Sequence, residues 1–227
     1  MSTSTTWAWA ASGKHPVVKD FIRFGPETPA VGALSRWVED GYSKVPVITN
    51  MHSWRFFARG TQSQELVCGL LRDSRDGAGR PFPFLIVGAG RIEGWEKHWV
   101  YLPEILGGLW ERLEFLSTKR VFDLEELKAD VSLLPSPVFK KEWQPVEVPE
   151  GDRSLLDGQE GMLSLGLKGT GDYSSEIIQG LKTLKTLSLS VPDAVFIGGL
   201  LEQPFLVAFT RQINAADFNR LWTMGAT

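Results

Sequence analysis

Asp73 and Asp76 lie three residues apart in "GLLRDSRDGAGRPFPFLIV", residues 69–87, among Arg72, Arg75 and Arg80. Two carboxylates among arginines are ingredients of acid–base chemistry, provided that their environments drive their protonation apart. The same spacing equally serves a turn, in which each aspartate caps backbone amides or pairs with a nearby arginine. Gly77 and Gly79 favour the turn, since both are expected at positive φ, as a tight or bulged connection requires. Arg80 then lies on the surface or reaches back to Asp76. A hydrolase is the alternative, with Asp76 and Arg80 in a polar pocket shared with His15 or Asp20.

Other chemistry is sparse. The histidines His15, His52 and His98 form no HExxH, and the single cysteine, Cys68, sits inside an apolar run. A buried, inert thiol is expected there, and no zinc site, other metal site or internal disulfide. No GxSxG nucleophile elbow occurs. "GLKGTGD", residues 166–172, has neither GxxxxGK[ST] nor GxGxxG, so it reads as a strand-to-helix turn capped by Asp172 or Ser174 rather than a phosphate cradle. No catalytic residue and no cofactor is assigned. Trp54 and Arg55 open an alternating strand, which places Trp54 with Phe56 on one face and Arg55 with Phe57 on the other.

The elements that position these residues belong to one chain of 227 residues, long enough for a sizeable core. The net charge of −3 lacks the basic surplus of a nucleic-acid binder. No stretch is long and apolar enough to insert in a membrane, and "MSTSTTWAWAASGKHP" lacks the layout of a signal peptide, so a cytoplasmic location is expected. Nine tryptophans are many for this length, and most should anchor the core.

A first strand is expected over 7–11, followed by a loop through "GKHPVVKDF". The spacing of Val31, Leu34 and Val38 predicts a helix over 29–41. "SWRFFARG", "ELVCGLLRD" and "FPFLIVGAG" read as strands, the last two covered on both faces. Leucines recurring at three and four predict a helix over 99–117, weakened by Gly107 and Gly108. "DLEELKADVSLL" is a further helix with Asp123 as N-cap and Glu126 three positions on. Residues 135–153, rich in proline and without periodicity, read as a linker or an extended crossover. A strand near 161–167, a helix with the stripe Ile177, Leu181 and Leu184, the strands "AVFIGG" and "FLVAFT", and the short helix "AADFNRLW" complete the chain. Interleaved helices and strands predict an α/β fold with helices on both faces of the sheet.

Several motifs, in this order, resemble the TagF (ImpM) family of type VI secretion accessory proteins. Gly13, Lys14 and Pro16, followed by Asp20 and Phe21, match its opening. Trp54, Arg55 and Phe56 match its Trp-Arg-Phe strand. Gly69 and Leu71 lead into Ser74, Asp76, Gly79, Arg80, Phe82 and Pro83, which match its Ser-x-Asp-x-x-Gly-Arg-x-Phe-Pro signature. The likeness is good over residues 7–90 and weak beyond. His15, Lys19 and Gly77 depart from the family's leucine, glycine and arginine. The resemblance implies a single domain over 1–227, folded as a three-layer α/β/α sandwich around a mixed central sheet. It implies a cytoplasmic repressor of type VI secretion acting after translation, not an enzyme, that binds a forkhead-associated scaffold protein. Lys14, Pro16, Asp20, Trp54, Arg55, Ser74, Asp76, Gly79 and Arg80 are then the candidates for partner contact or loop shaping. A general adaptor unrelated to secretion is a further alternative.

Overall fold

A computed structural model describes residues 7–45, 51–139, 157–168, 173–188 and 190–225. Their elements run β1 (Ala8–Lys14), β2 (Phe21–Phe24), α1 (Pro29–Tyr42), β3 (His52–Arg59), β4 (Glu65–Arg72), β5 (Phe84–Arg91), α2 (Leu102–Thr118), α3 (Leu124–Ser132), β6 (Asp157–Gln159), β7 (Met162–Gly166), α4 (Tyr173–Ser188), β8 (Ala194–Leu200), β9 (Gln203–Phe209) and α5 (Ala215–Thr223). The nine strands form one sheet in the order β2-β1-β5-β4-β3-β8-β9-β7-β6. Every neighbouring pair is antiparallel, which corrects the expectation of a mixed sheet. For the consecutive strands the reason lies in the connections. β3–β4, β4–β5 and β8–β9 are joined directly, without a helix, and a parallel neighbour needs a crossover of a dozen or more residues.

Strand periodicity divides the core in two. Leu66, Cys68 and Leu70 of β4 join one buried cluster with Phe84 and Ile86 of β5. Val67 and Leu71 point the other way and join a second cluster with Leu85 and Val87. The buried faces of α2, α3 and α4 pack in the first cluster, and those of α1 and α5 in the second. Continuous apolar strands thus arise because each face has helices to cover it. Cys68 is fully buried, and burial pushes its thiol far above the ordinary range, as expected for an inert group.

Local chemistry sets the helix ends. Thr28 accepts the Val31 amide before α1; Asp123 accepts the Glu126 amide before α3, as the sequence predicts for that helix. α2 starts at Leu102 rather than Trp99, after short 3₁₀ turns at 95–97 and 99–101. Pro103 has no amide to donate to a preceding turn, so the regular ladder begins beside it. Leu102, Leu106, Leu109, Trp110, Leu113 and Leu116 then face the core, and each fully buried leucine contributes about 1.5–3 kcal/mol. Two short edge strands, β2 and β6, escaped the sequence reading. The crossover expected over 135–153 lies, from 140 on, outside the described residues, as does the cap at Asp172.

Candidate functional site

The signature closes a hairpin between β4 and β5. Arg75 and Pro81 form an isolated antiparallel bridge, and the Phe82 amide donates to the Ser74 carbonyl at 3.1 Å. Inside that bridge the chain turns tightly. The Gly79 amide donates to the Asp76 carbonyl at 2.8 Å, and the Asp76 amide to the Arg80 carbonyl at 3.1 Å. Gly79 holds φ at +83°, a region that a β-branched side chain avoids. Gly77 is not at positive φ, contrary to expectation. It is small for another reason: its amide donates to the Val18 carbonyl at 2.6 Å, and a Cβ would stand 2.9 Å from the Pro16 carbonyl oxygen.

Asp76 is the centre of this loop and is 1% exposed. One carboxylate oxygen accepts the amides of Ala78 and Arg80 at 2.9 and 3.0 Å. The other faces Arg80 Nε at 2.7 Å and Lys14 Nζ at 3.3 Å. Burial opposes ionisation, but the Arg80 and Ala78 amides with the Lys14 and Arg80 side chains outweigh it and hold the carboxyl down at about 2. The other arm of the Arg80 guanidinium donates to the Lys19 carbonyl. One aspartate therefore ties the hairpin tip to the end of β1 and to the 15–20 turn. Gly13 shares this junction. It holds φ at +118°, and a Cβ there would collide with the Pro83 carbonyl oxygen.

The remaining candidates scatter. Asp20 is exposed and, among the described residues, accepts only its neighbour's amide, that of Phe21, at 2.7 Å. Trp54 is 0% exposed in the α1–α5 core. Arg55 points to the opposite face, as its strand position predicts, and grips Glu114 of α2 with two bonds of 2.8 Å. Asp73, the other half of the imagined carboxylate pair, works separately. It accepts the His52 amide at 2.8 Å and the Trp222 indole at 3.1 Å, and its carboxylate lies 3.2 Å from His52 Nδ1. The His52 ring in turn stacks on Trp222. This joins β3, the hairpin and α5, a convergence of residues 52, 73 and 222 that no local pattern announces.

Beside the hairpin opens a cavity of about 780 Å³. It is lined by the 15–17 turn, Tyr42, Met51, hairpin residues 72–75, 79 and 81, and residues 117–121 at and just after the end of α2. Pro16, Ser74 and Gly79 line it, whereas Lys14, Asp20, Asp76 and Arg80 do not. His15 borders it but is 4% exposed, and burial lowers its basicity. Its Nδ1 accepts the Val17 amide at 3.2 Å. Of the hydrolase candidates, only His15 lines this cavity, and the Asp76 oxygens are already bonded. Among the described residues, no three His, Cys, Asp or Glu side chains gather as a metal site, and no helix is long and apolar enough to cross a membrane.

A second buried carboxylate, Asp217, lay outside the sequence reading. Its oxygens receive Arg211 Nη1 and Nη2 at 2.6 and 2.8 Å and the Asn214 amide at 2.8 Å. Asn214 accepts the Asp217 amide in return, completing a capping box at the start of α5. The Asn-x-x-Asp spacing ahead of "FNRLW" is the signal that could have found it.

Comparison with known proteins bears on residues 10–134, which match the TagF N-terminal domain, described as type VI secretion system-associated. That is more than half of the 227 residues. The chain is similar in fold to the crystal structure of PA0076 from Pseudomonas aeruginosa PAO1. The TM-score is 0.60 and the identity 19%, over 94% of this chain and 93% of that one. No curated protein matches. The matched domain contains both the hairpin signature and the Lys14–Asp76–Arg80 cluster that shapes it, and on that match the chain belongs to the TagF N-terminal domain family of type VI secretion system-associated proteins.

Proposed function

We propose that this protein represses the assembly or activity of a type VI secretion system after translation, in the cytoplasm, by binding a forkhead-associated scaffold protein. In this reading it is a binding protein and not an enzyme. The observation that supports it is the state of Asp76. The most chemically suggestive carboxylate of the family signature is consumed in holding a surface hairpin against the 15–20 turn. A side chain used in this way shapes a surface, and a shaped surface is what partner recognition needs. The hydrolase alternative has less support, because neither Asp76 nor Arg80 lines the adjoining cavity. An adaptor unrelated to secretion has less support than a secretion role, given the matched family. We also read the sheet, with α2–α4 in one core and α1 and α5 in the other, as a three-layer α/β/α sandwich.

The test is genetic and biochemical together. Deleting the gene should raise type VI secretion, overproducing the protein should silence it, and the scaffold should co-purify with it. Unchanged secretion in both directions sinks the repressor. Repression without scaffold capture sinks the named partner.

A further inference from the structure

The lining of the cavity beside the hairpin holds more cations than carboxylates. In a chain of net charge −3, its wall holds Arg72, Arg75, Lys119 and Arg120 against one carboxylate, Asp73. Asp73 is occupied by His52 and Trp222. Lys119 is neutralised by Glu126 and Asp130 at 2.8 and 2.7 Å. Arg75 and Arg120 have no such partner among the described residues. Arg72 is half-buried and, among the described residues, its side chain donates only to the Ser117 hydroxyl, at 3.0 Å. The Arg75 and Arg120 side chains have no hydrogen bond or ion pair among the described residues, nor does the Ser74 hydroxyl on the same wall. Arg120 follows the C-terminus of α2, where a cation complements the helix dipole. That explanation does not reach Arg75, on the hairpin, or Arg72, at the end of β4.

Three features define the ligand that fits. Three arginines lining one cavity, two of them without a bond among the described residues, match the oxygens of a multiply charged anion, which a guanidinium can hold through two bonds at once. A volume of about 780 Å³ is that of a small-molecule site. Tyr42, Pro16, Val17 and Val121 give the rest of the wall an aromatic and apolar surface. We propose that this cavity binds a small phosphate monoester, with Arg75, Arg120 and Arg72 around the phosphate and the organic body against Tyr42 and its apolar neighbours. Burial lowers the basicity of Arg72, with the charges of Glu114 and Asp73 acting in the opposite sense, so a bound anion also relieves a partly desolvated cation.

The inference is independent of the regulatory reading, because binding is measured on the purified full chain and repression in cells. The probes are inorganic phosphate, phenyl phosphate and AMP, with phenol and adenosine as their uncharged counterparts, followed by calorimetry and thermal shift at low ionic strength. The phosphates should bind, the two monoesters more tightly than inorganic phosphate, and the uncharged pair not at all. Arg75→Ala and Arg120→Ala remove no bond within the described residues, so both should melt like the parent. Each should weaken monoester binding about tenfold or more, the effect of losing a charged hydrogen bond. Arg91→Ala, at the far end of β5, should bind like the parent. The proposal is overturned if none of the three phosphates binds, if adenosine binds as well as AMP, or if the double variant Arg75→Ala/Arg120→Ala binds like the parent. Tighter binding of a phosphoserine peptide than of the monoesters overturns the assignment to a small molecule.

Discussion

Asp76 and Asp217 are both buried carboxylates that bind backbone amides and cations, yet they do different work. The partners of Asp217, namely Arg211, Asn214 and Arg220, all lie within residues 211–220, and it caps its own helix. Asp76 also binds locally, through Ala78 and Arg80, but its second oxygen recruits Lys14 from a strand 62 positions back. Through Arg80 it reaches the Lys19 carbonyl as well. The first is a local cap and the second a clasp between distant segments. Similar chemistry therefore has different consequences, depending on how far along the chain the partners lie.

The largest expected effect is at the junction that only the clasp possesses. Gly13→Ala introduces a side chain at φ +118° that meets the Pro83 backbone. We expect a loss of about 3 kcal/mol or more, since backbone strain and a clash with main-chain atoms add. Chemical denaturation measures it, and a parent-like midpoint would mean that the 13–83 crossing is loose.

Next come the two carboxylates. Asp217→Ala should speed amide exchange in α5 first, whereas Asp76→Ala should do so in residues 74–82 and 15–20 and leave α5 protected. The same exchange pattern in both variants would erase the distinction between cap and clasp. A milder test adds no strain by mutation. Because Asp76 has a folded pKa depressed to about 2, below the ordinary aspartate value of about 3.9, its contribution is fully present above the unfolded pKa. It is lost as pH falls from about 4 towards about 2. Asp217 is also depressed: burial opposes its ionisation, but Arg211 and the Asn214 amide prevail. Melting temperature should therefore fall over this acid window, and Asp76→Asn should flatten part of the fall. A parent and variant with parallel profiles would show that the clasp is not titrating there.

Smaller again is the hairpin tip. Gly79→Val forces a β-branched residue to φ +83° and should cost about 1–3 kcal/mol. Open space surrounds the added Cβ, which places the loss at the lower end of that range. Arg80→Lys should cost less, since the arginine is 58% exposed and lysine retains a charge beside Asp76. The smallest stability effect belongs to the cavity wall: Arg75→Ala should stay within about 0.5 kcal/mol of the parent, as expected for an exposed side chain without a bond among the described residues.

Much of this molecule was determined by its sequence alone, wherever the physics is local. Apolar periodicity placed α1, α2 and α4, because a helix repeats its buried face every three to four residues, and apolar runs or alternation of strand length placed β3, β4, β5, β8 and β9. Asp123, with Glu126 three positions on, marked a cap because the atoms that bond are neighbours in the chain. The ordered motifs from Gly13 to Pro83 pointed to the family. Short edges without a repeat, β2 and β6, stayed hidden, and so did the antiparallel pairing throughout the sheet. Only the tertiary structure decided that Gly77 is small because Pro16 and Val18 cross it, or that Asp73 and Asp76, three residues apart, serve different ends of the fold. It alone placed Lys14 on Asp76, stacked His52 on Trp222, and gathered Arg75 and Arg120 around one cavity. The reason is the same each time: these contacts join residues dozens of positions apart, and residue type and spacing carry no record of which distant segment will arrive.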